Sequence, residues 1–168
     1  EGHSAFLSVE RIRILMREHG LTFAEALQGA RAGNVFTTHT PVPAGFDAFT
    51  RDLMVKYLSD DVADLGVSLD EFLALGRRPG DTHGPFNMAG FAIRTSAHVN
   101  GVSRLHGEVS RRLLREYSPS VPEAEVSVGY VTNGVHTRSV LSREMSQLFD
   151  RYLGMDWWRD PGQHDSWA

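Results

Sequence analysis

Layered α/β architecture is the fold class this sequence predicts, and three features predict it. Residues 4–19, SAFLSVERIRILMREH, repeat apolar side chains at helical spacing, with Gly20 placed to end the helix. Thr22-x-x-Glu25 is a capping box, in which each side chain satisfies an orphan backbone donor, so it opens a second short helix that Gly33 closes. Asn34–Thr40 then reads as a strand rich in β-branched and aromatic residues. A strand this apolar calls for cover on both faces, which places a sheet between layers of helices.

The remaining elements follow in order. Pro41 and Pro43 lack a backbone donor and force extended geometry on the residues before them, so the strand must end near Thr40. Residues 51–65 predict a helix with Leu53, Met54, Tyr57, Leu58 and Val62 on one side. Ser68-x-x-Glu71 opens a further short helix stopped by Gly76, and RRPGDTHGP, 77–85, is a loop. The run FNMAGFAI is apolar throughout and predicts a buried helical turn or two, followed by a strand over about 96–102. Residues 103–117 form an amphipathic helix, with Leu105, Val109, Leu113 and Leu114 inward and the arginines at 104, 111, 112 and 115 on a solvated face. EVSVGYVTNGVHT alternates β-branched residues and predicts another strand ending near Thr132; 142–154 is a last helix, capped by Ser142 and stopped by Gly154.

Composition narrows the function classes. The 168 residues are 41% hydrophobic and 23% charged, which suits one globular unit of ordinary domain size. A net charge of -4 gives no footing for a nucleic-acid partner or an anionic membrane surface, and the apolar runs are far too short to span a bilayer. The absence of cysteine excludes disulfides, thiolate chemistry and sulfur-zinc sites, and fits a reducing, cytoplasmic compartment. The chain opens on Glu1 rather than methionine and stops in the Trp-rich segment DWWRDPGQHDSWA, so it is expected to be part of a longer protein.

Chemistry concentrates where strands end. In VFTTHTPVPAG, His39 stands at the last rung of a strand and before a proline-stiffened loop, as either a structural plug or a presented group. Asn100-Gly101 and Asn133-Gly134 also stand at predicted strand ends; each would serve as a simple turn, yet neither is followed by a return strand. Ligands of open α/β sheets settle outside the carboxyl ends of the strands, so His39, Asn100 and Asn133 are candidates for one shared rim. The eight histidines show no H-x-x-x-H or H-E-x-x-H spacing, so no metal site is expected. Trp157 and Trp158 fit either a sugar face or, more simply, an apolar patch against a neighbouring domain.

Three segments taken together resemble the α-glucan phosphorylases of glycogen, starch and maltodextrin, in particular their shorter bacterial type. They are EGHSAF with the helix after it, VFTTHTPVPAGFD, and FNMAGFAIRTSAHVNGVSRLHGEVSRRL followed by VTNGVHTRSVL. The likeness covers nearly the whole chain in the family's order. It implies two Rossmann-like domains facing each other across a cleft (the GT-B arrangement), with residues 1–168 forming part of the first, glucan-binding domain. It also implies phosphorolysis of α-1,4-glucan to glucose 1-phosphate with retained configuration. The partners implied are glucan, inorganic phosphate, the rest of the protein's own chain and a second copy in a homodimer. Pyridoxal phosphate would be the cofactor, acting through its phosphate group, and a second domain outside this chain would bind it, since Lys56 is the single lysine here and falls on a surface helix.

The same resemblance assigns residues. His39 matches the histidine whose carbonyl lies near the glucosyl carbon and whose ring bonds the 6-hydroxyl, and Thr40 would brace its turn. Asn133 matches an asparagine that bonds the same hydroxyl, and Val102 a residue packed near the sugar's C6. His3, with Glu1, matches an acidic-x-His turn beside the glucan acceptor. Two positions depart: Val140 stands where many members carry a tryptophan, and Gly2 stands where the longer animal-type enzymes carry a hydroxyl residue. The rival readings are a non-catalytic carbohydrate-binding or regulatory module of the same fold, and a nucleotide-sugar glucosyltransferase such as a glycogen synthase.

Overall fold

The first 20 residues fold as their periodicity requires. A single 3-10 turn, His3–Phe6, runs into helix α1, Leu7–His19, which ends on Gly20 in the left-handed region at φ 65°. A computed structural model describes residues 2–159, and the chain divides into two units, Glu1–Thr132 and Asn133–Ala168, each treated by itself.

In the first unit, helix α2 spans Phe23–Ala32 and carries the expected capping box between Thr22 and Glu25. Those hydrogen bonds from Thr22 hold the Glu25 carboxyl below the usual carboxylate range. Strand β1, Val35–Thr38, follows; strand β2, Ala48–Phe49, comes after the proline loop and leads into helix α3, Arg51–Asp64, and helix α4, Leu69–Ala74. Strand β3, Phe86–Asn87, helix α5, Met88–Arg94, strand β4, His98–Gly101, helix α6, Arg104–Leu114, and strand β5, Gly129–Tyr130, complete the unit. Strands β1, β4 and β5 pair in that order, both pairs parallel, while β2 and β3 form a separate antiparallel pair. Parallel neighbours need long crossovers, and these are supplied by 39–97 and by the α6 segment.

Two hydrophobic cores meet at α5. Met88 and Phe91 join a helical core with Val9, Ile12, Met54 and Phe72, whereas Ala89 and Ala92 join the sheet core with Phe36, Val99 and Leu114. A helix covered on both sides is apolar all round, which accounts for the unbroken run in the sequence. Phe86 sits at the centre of an aromatic cluster, with ring centroids 5.3 Å from Phe91, 5.6 Å from Phe72 and 6.2 Å from Phe6.

Several expectations need correction. Strand β1 is covered on one face only: Phe36 and Thr38 are buried while Val35 and Thr37 are exposed, and no strand lies on its outer edge among the described residues. In α3, Met54 and Val62 are buried and Leu58 is half-buried, but Leu53 and Tyr57 are 44% and 68% exposed. Their face is aligned as expected yet lines an open apolar groove of 270 Å³ with Phe6 and Phe49. In α6 the inward face is Gly107, Ser110 and Leu114, and Leu105 points outward at 69% exposure. Arg111 is likewise no solvated residue, since it is half-buried and its Nη1 donates to the Val128 carbonyl at 2.8 Å. Strand β5 is two residues long, because Val126 and Val128 turn into the sheet core before it starts.

The second unit holds a short helix α7, Thr137–Val140, and helix α8, Arg143–Leu153, capped by Ser142 through the Met145 amide. Trp157 is buried edge-on against Phe149, centroids 5.0 Å apart, and its indole donates to Asp150 at 3.1 Å. The Trp158 ring meets the guanidinium groups of Arg138 and Arg159, at 5.3 Å and 5.2 Å from its centroid. Both rings are thus engaged within their own unit. Val140 is 74% exposed.

Candidate functional site at the strand ends

The parallel register brings three strand ends to one edge. Thr38 pairs with Gly101 and Gly101 with Tyr130, so His39, Val102 and Val131 leave the sheet side by side at its carboxyl edge. The Val131 amide donates to the Gly101 carbonyl at 2.9 Å, which carries the β4–β5 pairing one residue further. One rung below, the Thr37 hydroxyl donates to Asn100 Oδ1 at 3.1 Å, and the Asn100 amide donates to the Gly101 carbonyl at 3.3 Å. Asn100 is therefore part of the sheet's upper rung rather than a hairpin turn. This is the crevice position at which α/β sheets bind ligands.

His39 is exposed, so it is not a plug in the core. The loop beyond it is fixed at both ends. Pro43–Gly45 form a 3-10 turn with proline at its start, and the Gly45 and Phe46 amides donate back to Val42 and Pro43. Thr40 is half-buried under this turn; a Cβ on Gly45 would fall 2.1 Å from Thr40 Cγ2, so only glycine admits the threonine there. Phe46 packs on the sheet core, and the Asp47 carbonyl accepts from the Met88 amide at 2.9 Å. Two prolines and two anchors hold the His39 backbone in place.

On β4, Val102 is half-buried and donates its amide to Nδ1 of His106 at 3.3 Å. Ser103 caps α6 by accepting from the His106 amide at 3.1 Å. The helix reaches the strand end because glycine lies on both sides of the contact. A Cβ at Gly101 would come within 2.7 Å of His106 Nδ1 and 2.8 Å of the Gly107 nitrogen, and one at Gly107 within 3.0 Å of the Gly129 carbonyl oxygen.

The other sequence candidates divide. His3 is exposed on its 3-10 turn, and that turn is pinned by Gly2, which is buried so tightly that a Cβ would fall 2.2 Å from the Met88 Cβ. Hence no hydroxyl residue fits at position 2. Glu1 lies outside the described residues. Asn133 opens the second unit; it is exposed and its side chain makes no hydrogen bond among the described residues, so both halves of its amide are free for a ligand. The strand-end register thus joins His39, Thr40 and Val102, while His3 and Asn133 stand on other elements. Sequence reasoning passes over Thr37, and it reads His106, beside Leu105 on an amphipathic helix, as a packing residue rather than a ligand. The signal for His106 was its spacing, three residues after a capping serine and four after Val102, which returns the ring to the strand end.

Among the described residues no group of three or more potential metal ligands occurs, and no helix there is long and apolar enough to cross a membrane. Lys56 is exposed on α3, with its ammonium 5.0 Å from the Tyr57 ring.

The comparison with known proteins agrees with the resemblance seen in the sequence. The family model for carbohydrate phosphorylases matches residues 79–166. The maltodextrin phosphorylase of Thermococcus litoralis is 46% identical over 157 residues, covering 94% of this chain and 18% of that protein. The glycogen phosphorylase of Mycobacterium tuberculosis is 41% identical over 167 residues, 96% of this chain and 19% of that protein. That of Aquifex aeolicus is 30% identical over 154 residues, 92% of this chain and 22% of its own length. The chain therefore spans roughly a fifth of the curated relatives it matches.

Proposed function

The chain belongs to the carbohydrate phosphorylase family, and on that premise we propose that its protein degrades α-1,4-glucan by phosphorolysis, with these residues forming the glucosyl-binding wall. Phosphate attacks the anomeric carbon of the terminal glucose, the glycosidic bond breaks, and glucose 1-phosphate leaves with retained configuration. Residues 1–168 are, in this reading, part of a Rossmann-like first domain of a GT-B pair. The observation that carries it is the exposed, doubly anchored His39 beside Val102 at the carboxyl edge of a parallel sheet.

The chemistry of these residues suits that task. Bond cleavage at an anomeric carbon passes through an oxocarbenium-like state that carries positive charge. A carbonyl dipole held rigidly in a cleft stabilises such charge more than mobile water does, because it needs no reorganisation when the charge appears. The proline loop gives the His39 carbonyl that rigidity. The His39 ring can donate and accept, which suits a sugar hydroxyl such as O6, and Val102 offers an apolar contact for C6; the Asn133 amide has the same two-way capacity. His3 falls to the acceptor side of the glucan.

Pyridoxal phosphate belongs to this reading of the whole protein, but the described residues form no place for it. A Schiff base needs a lysine beside a phosphate cradle, and Lys56, exposed and stacked on Tyr57, has neither.

The test is phosphate-dependent release of glucose 1-phosphate from maltodextrin by the full-length protein. We expect His39→Ala and Asn133→Ala each to lower kcat/KM by about 100-fold or more at unchanged thermal stability. Wild-type rates in both variants would remove the assignment, and turnover with a nucleotide-glucose donor in place of phosphate would replace it with the glucosyltransferase reading.

A further inference from the structure

The imidazole of His106 has an unusual position. Its Nδ1 accepts from the Val102 amide at 3.3 Å, and its Nε2 is buried without a hydrogen-bond partner. A neutral imidazole carries one proton, so an accepting Nδ1 places that proton on Nε2. Among the described residues no ion pair involves the ring or Glu108 on the same helix, and Glu123 is taken by Arg112. Among the described residues the ring makes no hydrogen bond except to Val102, so its polar contact there is with the backbone that leaves the sheet next to His39.

That contact is built in by neighbouring residues. Gly101 has no Cβ because one would lie 2.7 Å from His106 Nδ1, and Gly107 brings the helix backbone down onto Gly129. Ser103 fixes the first turn of α6 through the His106 amide, so ring and helix start are held together. Only the imidazole then reaches the free amide of the turn. A backbone donor at a strand end would otherwise point at solvent or at a ligand, and leave the turn free to swing.

We propose that His106 is a positioning residue, whose unprotonated Nδ1 holds the Val102 amide and thereby sets the place of Val102 in the glucosyl-binding wall. This rests on the phosphorolysis reading, and it concerns a residue that touches no substrate itself. It requires an acceptor at the Nδ1 position and nothing at Nε2. Asparagine puts Oδ1 at the place of Nδ1, whereas glutamine carries its polar atoms out to the place of Nε2.

The discriminating variants are His106→Asn and His106→Gln in the full-length protein. Glutamine is the better helix former, so a purely structural role favours His106→Gln. A positioning role favours the reverse: His106→Asn keeps kcat/KM within about threefold of the wild type, while His106→Gln loses roughly tenfold or more, mostly in kcat. Hydrogen exchange at the Val102 amide supplies a readout that needs no substrate, and we expect it to be about five- to tenfold faster in His106→Gln than in His106→Asn. Equal exchange in the two variants, or equal activity, overturns the proposal. If the wild type shows no phosphorolysis, the functional reading fails, and the exchange comparison alone still decides whether His106 holds the turn.

Discussion

Phe86 and Gly101 mark two regions of the same unit that are held together by different means. Around Phe86 three aromatic rings lie within 6.2 Å, and the Gly76 backbone closes against the same ring. Around Gly101 the neighbours are a helix nitrogen and an imidazole, at 2.8 Å and 2.7 Å from where a Cβ would stand. The first region is stabilised by removing apolar area from water, which any side chain of the right size achieves in part. The second depends on backbone approaching backbone, which one added carbon prevents. It follows that the aromatic region should answer to substitution in stability, and the strand-end region in activity.

The largest stability effect should come from Phe86→Ala, which opens a cavity among fully buried rings and is expected to cost about 3–5 kcal/mol in denaturant unfolding of the full-length protein. Where folded protein can be recovered, its kcat/KM should stay close to wild type; a specific loss of activity would erase the contrast between the two regions. Gly101→Ala comes next. It must push α6 away from the strand end, at about 1–3 kcal/mol, and should lower kcat/KM by more than its change in unfolding midpoint explains. If stability falls and activity holds, the strand ends do not form the site. Ser110→Ala is the smallest: Oγ is buried without a hydrogen-bond partner, so removing it should shift stability by no more than about 0.5 kcal/mol, in the stabilising direction if at all. A large loss would show that the hydroxyl makes a bond in solution.

The same contrast explains what could be read from the sequence. The capping boxes at Thr22 and Ser68, the Gly20 and Gly154 stops and the buried run of α5 were legible because each depends on residues close in the chain. His39 and Val102 could be placed at strand ends for the same reason. The inward face of α6 was not legible, because Gly107 and Ser110 carry no hydrophobic signal. Small size places them inward, and for Gly107 the need arises from Gly129, 22 residues further on, whose carbonyl the helix must approach. Leu105, which any periodicity argument turns inward, is displaced outward by that close approach. Leu53 and Tyr57 failed differently: their alignment was correct, but the groove they line is open. His106 looks like an ordinary packing histidine because its partner is a backbone amide, which leaves no trace in side-chain pattern.

The one-sided cover of β1 has a practical consequence. Among the described residues its outer edge has no strand beside it, Val35 on that strand is 63% exposed, and neither proline nor charge interrupts its four residues. Bare edges of this kind recruit any extended peptide that can complete their ladder, including another copy of themselves. Preparations of this stretch on its own should accordingly grow turbid with concentration, and a lysine in place of Val35 should keep them clear.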